Sequence, residues 1–194
     1  MGYSTIHAFY PNMPKFFQEK YNFSNTEAAT ISSLPYLIAS LSVPVFGSLL
    51  RGYSSSDQVY EVGLLVSLCS VLSTHLSYLL LPLDLTWSLP IFPIVIFGLG
   101  HALFTTLLSP TVPKLIENKQ ELLPMCFSIM KIVEGFAITF FTQMAGELRQ
   151  QTGSYFWVQT LLIACNVIAI LASYELAYRG LFSSLASRIQ IIIS

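Results

Sequence analysis

Charge is what this sequence has least of. Its 194 residues hold nine Lys and Arg and ten Asp and Glu, 10% charged in all, for a formal net charge of −1. A water-soluble domain carries about 25% charged residues, so this chain cannot cover a globular surface with its own. A balance without basic excess argues against a nucleic-acid partner. Cysteine is scarce as well. Cys69, Cys126 and Cys165 each fall inside an apolar run, which reads as small membrane-buried residues, not disulfide partners or metal ligands. There are three histidines, and no two share the i, i+4 spacing of a metal pair. A nucleophile motif and a phosphate loop are also missing, so we read no enzyme and no cofactor. What is present is apolar: 54% hydrophobic residues and a mean hydropathy of +0.65, the composition of an integral membrane protein.

The stretch from Pro14 to Arg51 sets the pattern. A polar segment leads through Ser24-Asn-Thr-Glu27, which has the S-x-x-E spacing of a capping box, into an almost uncharged run from Ala28 to Leu50. Such a run of about 23 residues spans a hydrocarbon layer of about 30 Å as a helix. It carries Ser32, Ser33, Ser40, Ser42, Pro35 and Pro44, which suit a helix packed on partners or lining a cavity. Gly47 near its end is expected to let the backbone approach a neighbour.

Six apolar segments are predicted. The first, Met1 to about Phe17, contains His7, Pro11 and Pro14 and is short for a span, like the second half of a truncated helix. The others are about Glu27–Leu50, Tyr60–Leu81, Leu89–Val112, Leu122–Gly146 and Tyr155–Tyr178, joined by short polar connections. Residues 1–178 thus form a single bundle. The tail 179–194 is too short to span and is expected at the cytoplasmic interface or unstructured. If the sixth helix ends in the cytoplasm, then Arg51, Lys114, Lys119, Arg179 and Arg188 are cytoplasmic, with Lys15, Lys20 and Arg149 opposite. Trp87 and Trp157 fall near predicted boundaries, as interface anchors do.

An internal repeat accompanies this pattern. A shift of 99 residues carries Pro14-Lys15 onto Pro113-Lys114, Lys20 onto Lys119, and Gly47-Ser-Leu49 onto Gly146-Glu-Leu148. Three spans separate the copies. An odd number reverses direction, so the fold class is an all-α membrane bundle of six helices in an inverted three-plus-three repeat.

The run FFQEKYNFSNTEAATISSLPYLIASLSVPVFGSLL, Phe16 to Leu50, resembles the start of the eighth transmembrane helix in the major facilitator superfamily, most nearly its lysosomal dipeptide uniporter branch. Leu72-Ser-Thr-His75 resembles the ninth helix. Phe97-Gly-Leu-Gly, Leu107-Leu-Ser-Pro110 and Val112-Pro113 resemble the tenth, and Gly135-Phe-Ala-Ile138 with Ala145-Gly146 the eleventh. The likeness runs from about Phe16 to Tyr178 and implies the C-terminal half of a major facilitator fold, in a lysosomal membrane. Two departures stand out. The acidic residue expected after the eighth-helix glycine is replaced in Gly47-Ser-Leu-Leu-Arg51, so the gating motif at Gly47 and Arg51 is degenerate. The branch's Trp before the tenth-helix proline is Ser109 here.

Lys131 and Glu134 are the sharpest chemical signal. They lie three apart, deep in the fifth span, where a lone charge is costly. Either they face a cavity and hold a zwitterion or relay a proton, or they neutralise each other and fix packing. His75 and His101, in the third and fourth spans, are either proton-relay groups or histidines bonded within the bundle. Tyr36 either lines a cavity or packs in the core. Asp57 and Glu61 could reach Arg51 across a loop, or stay solvated. Two functions follow. One is half of a solute carrier for a small peptide or other small organic solute, uniport or proton-linked, whose partners are the lipid bilayer and a second six-helix bundle. The other is a non-transporting subunit of a larger membrane complex such as a respiratory assembly, which would place it in the mitochondrial inner membrane.

Overall fold

The computed structural model describes residues 2–51, 57–80, 88–116 and 120–193, with side chains over 6–51, 59–80, 90–108, 121–175 and 178. The side chains of Asp57, Ser109, Lys114, Arg179 and Arg188, and Trp87 and Lys119 entirely, lie outside the described residues. Among the described residues every element is helical. Helices α1 (Gly2–Phe9) and α2 (Met13–Tyr21) are joined by a 3₁₀ turn at Tyr10–Asn12. Then come α3 (Asn25–Arg51), α4 (Asp57–Leu80), α5 (Ser88–Ile116), a 3₁₀ turn at Gln120–Leu122, α6 (Leu123–Thr152) and α7 (Tyr155–Ile193). Five helices are long and apolar enough to cross a membrane, and α1–α2 make the sixth, short segment.

The local rules explain these boundaries. Pro11 in the first turn of the 3₁₀ segment cannot donate to the preceding turn, so α1 stops there and the chain restarts as α2. Asn22, with φ of 55°, ends α2. The capping box then starts α3: Ser24 N–H donates to Glu27 Oε2 at 2.8 Å, and Glu27 N–H to Ser24 Oγ at 3.4 Å. Two expected ends lie elsewhere. α6 runs past Gly146 to Thr152, because the stop is Gly153: its φ of 67° is a conformation open to glycine, and its N–H closes on the Arg149 carbonyl at 3.0 Å. The tail 179–193 is not unstructured but continues α7 as helix.

The packing obeys the repeat. Exchange the first segment with α5, α3 with α6, and α4 with α7. The contact of α1 with α6 becomes that of α5 with α3; α1 with α7 becomes α5 with α4; α2 with α3 becomes α5 with α6; and α4 with α7 maps onto itself. The paired contacts differ in extent, since the first segment is short, and α6–α7 has at most a slight counterpart in α3–α4. Because neighbouring spans alternate in direction, the two triplets are inverted.

Lipid supplies little hydrophobic drive between helices, so close packing decides which of them stay together. α5 is the hub. A Cβ on Gly98 would stand 2.9 Å from the Ile38 Cβ and 3.1 Å from the Pro35 carbonyl of α3; one on Gly100 would stand 2.8 Å from the Ser70 Cβ of α4. Gly47 corrects the expectation made for it: nothing lies within 4 Å of its Cβ position, and the close approach between α3 and its neighbour falls at Pro35 and Ile38. Serines along α3 spend their hydroxyls on their own helix, Ser32 on Ala28 O, Ser33 on Thr30 O and Ser40 on Tyr36 O. Of the cysteines only Cys165 is buried; Cys69 is exposed on the outside of the bundle.

At the end of the bundle where α2 and α6 stop, the Arg149 Nε–H donates to Glu19 Oε2 at 3.0 Å, and the guanidinium lies 5.1 Å from the Tyr155 ring centre. This tie puts Lys20 and Arg149 on one side of the membrane, as the charge reading expects. Burial lowers the Lys20 ammonium below its ordinary pKa and pushes the neighbouring Tyr21 phenol up to about 12.

Candidate functional site

The break between α1 and α2 gathers the polar aromatic residues. Asn12 Nδ2 donates across it to the Ala8 carbonyl at 3.0 Å, which holds the turn. The Tyr10 hydroxyl lies 2.8 Å from His101 Nδ1 on α5, a buried hydrogen bond between the two triplets. The Tyr10 ring stacks on Tyr36 of α3, centroids 3.9 Å apart. The His7 ring meets His101 edge-on at 5.2 Å. α6 packs along α1, which brings Glu134 and Lys131 within electrostatic range of His7. A row therefore crosses one side of the bundle: Lys131–Glu134 on α6, His7 on α1, His101 on α5, Tyr10 in the turn and Tyr36 on α3.

The two ends of the row are open. Tyr36 is 47% exposed. Lys131 Nζ lies 2.9 Å from Glu134 Oε2, with the Lys131 side chain 62% exposed and that of Glu134 13%. The pair offers an anion and a cation at one end of the row, and Tyr36 an exposed aromatic face at the other. The charged pair suits the ammonium and carboxylate of a small zwitterion. Inside the row, Tyr10 and His101 share a hydrogen bond, and both are groups that can exchange a proton.

His75 stands apart from the row. It is fully buried between α4 and α7, its Nδ1 2.7 Å from Gln159 Oε1, with Phe9 packed on its ring at 5.0 Å. Gly47 and Arg51 lie at the far end of α3, and Arg51 is exposed. Tyr10, His7 and Gln159 were not singled out by the sequence as members of any cluster. The signal for Tyr10 was present: Pro11-Asn12 is a turn-forming pair inside an apolar segment, and intramembrane helix breaks collect polar side chains.

The fold is a multi-pass, all-α membrane bundle of two inverted triplets, consistent with half of a major facilitator fold. No model of a known protein family matches the chain. The chain is similar to the lysosomal dipeptide transporter MFSD1 of Bos taurus, 26% identical over 170 residues, which is 88% of this chain and 34% of that protein. Similarity to the Homo sapiens and Gallus gallus proteins of the same name is 27% over 157 residues, 81% of this chain and 31% and 33% of theirs. The resemblance read from the residues is therefore borne out. The chain spans about a third of the length of these curated relatives.

Proposed function

We propose that the chain is one bundle of a major facilitator-type solute carrier in the lysosomal membrane, and that it works with a second six-helix bundle. Its solute is a small peptide or another small organic zwitterion, moved by uniport or with a proton. The observation that carries this reading is the row from Lys131–Glu134 to Tyr36, which ends on α3 and α6. Those are the two helices whose spans are least covered, 11% and 0% buried. Alternating access needs a second bundle rocking against the first around a midplane site. The relatives, described as lysosomal dipeptide transporters, suggest both solute and membrane.

The second reading, a scaffold descended from such a carrier, is favoured by one observation. Nothing lies within 4 Å of the Gly47 Cβ position, and Arg51 stands exposed where the gating motif requires an acidic residue. The test is to purify the full chain from its native membrane with whatever accompanies it, reconstitute it, and follow uptake of labelled dipeptides. The carrier reading predicts saturable uptake with a second bundle present, lost in Lys131→Met and Glu134→Gln. Uptake by this chain alone overturns the two-bundle arrangement. Co-purification with a large unrelated complex, without solute movement, overturns the carrier.

A further inference from the structure

The seam between α4 and α7 holds buried polar groups of its own, separated from the row by the Phe9 and Phe97 rings. Ser67, Thr74 and His75 of α4 and Gln159 and Asn166 of α7 are each buried to within 1% of full coverage. Some of their atoms are satisfied inside the protein. Ser67 Oγ donates to Leu64 O at 2.7 Å, and Thr74 Oγ1 lies 2.9 Å from Ser70 O and 3.1 Å from Pro93 O. His75 and Gln159 bond to each other. Four atoms are left without a protein partner among the described residues: His75 Nε2, Gln159 Nε2, and both amide atoms of Asn166. A dry seam would forfeit a hydrogen bond at each of these atoms, where apolar residues of similar size would forfeit none.

Their positions are ordered. α4 and α7 run antiparallel. From the His75–Gln159 contact, eight residues back along α4 is Ser67 and seven residues forward along α7 is Asn166, so the two stand at the same level. The 99-residue shift that carries Pro14 onto Pro113 also carries Ser67 onto Asn166. Ser67 and Asn166 therefore occupy equivalent places in the two triplets and lie where the axis relating them crosses the seam.

We propose that this seam is a built site for buried water, with one molecule held by the Asn166 amide beside Ser67 and another on the outer atoms of the His75–Gln159 pair. Water both donates and accepts. It matches an amide N–H, an amide oxygen and an imidazole nitrogen in one small volume, and a buried water typically makes about three hydrogen bonds. None of the buried polar residues of the seam carries a fixed charge, so the site does not select an ion. The joint between the triplets then holds hydrated polar contacts among the buried apolar side chains of α4 and α7, Leu68, Val71, Val158 and Leu162. This inference stands apart from the carrier reading and holds equally for a scaffold.

The test is water-edited solid-state NMR on the full chain, isotope-labelled and in lipid nanodiscs. Rapid magnetisation transfer from water is expected to the Asn166 side-chain amide and to the His75–Gln159 pair, and not to the buried methyl groups of Leu162 and Val71. In Asn166→Leu the transfer at that turn is lost while it persists at His75–Gln159. Should Asn166→Leu fail to fold, Asn166→Ser keeps a donor and acceptor and retains the transfer. Absence of transfer at Asn166 in the unaltered chain, or transfer equal to that at the methyl groups, overturns the proposal.

Discussion

Helices α5 and α6 have 29 and 30 residues and are both long apolar runs, yet among the described residues half of the most apolar stretch of α5 is buried and none of that of α6, whose buried residue, Ala145, lies near its end. The difference does not lie in hydrophobicity alone. Inside a membrane an apolar side chain gains little by leaving lipid, so coverage follows from how closely backbones fit. In α5, Gly98 and Gly100 admit α3 and α4 to contact distance. In α6, Gly135 and Gly146 meet nothing within 4 Å, and Ile132, Val133 and Phe136 point away from the bundle, 61–74% exposed. α5 is the centre of this bundle; α6, with its pseudo-equivalent α3, presents the bundle's most exposed apolar faces.

Substitution at the glycines probes that contrast with the largest effect. Gly98→Val and Gly100→Val are each expected to lower stability by about 1–3 kcal/mol, because the added atoms meet the α3 and α4 backbones. Gly135→Val in α6 is expected to change it by less than about 0.5 kcal/mol. Thermal unfolding of the purified chain decides, and equal losses in α5 and α6 would erase the distinction.

Next in size is the bond that joins the triplets at the helix break. Tyr10→Phe is expected to cost about 0.5–1.5 kcal/mol through the lost hydrogen bond to His101. Tyr36→Phe keeps the stacked ring and is expected to cost almost nothing. A Tyr36→Phe loss as large as that of Tyr10→Phe would mean that the Tyr36 hydroxyl, not the stack, matters.

A third substitution reads what covers α6. If Lys131 and Glu134 face water, as a solute cavity requires, Lys131→Met changes stability by less than about 1 kcal/mol. If they face lipid or apolar protein, the stranded Glu134 costs several kcal/mol, roughly 3 on insertion scales. The smallest effect belongs to the exposed tie at the bundle end: Glu19→Gln is expected to cost less than about 1 kcal/mol in the same unfolding assay.

Much of this arrangement was legible in the residues. Each predicted span overlaps an observed helix, because twenty apolar residues without charge have few alternatives to a membrane helix. The capping box at Ser24 and Glu27 was readable for the same reason: it is local. The 99-residue spacing pointed to a symmetry that the helix contacts then displayed. What was not legible depends on neighbours distant in sequence. Nothing in Gly47 or Gly98 by itself says which of them touches another helix. Likewise His101 and His75 look alike in sequence, two histidines in apolar runs. One joins a row reaching an open face beside Tyr36, while the other closes on Gln159 inside the α4–α7 seam. Gly146 read as the end of a helix, whereas the φ of Gly153 shows which glycine took that role.

The account rests on α6 being covered by a second bundle in the membrane. A nitroxide placed at Ile132 on α6 and, separately, at Leu171 on α7 measures this directly through collision with dissolved oxygen in the native membrane. The account predicts frequent collisions at Leu171, in lipid, and few at Ile132, rising when the chain is purified alone. Frequent collisions at both sites in the native membrane would contradict it.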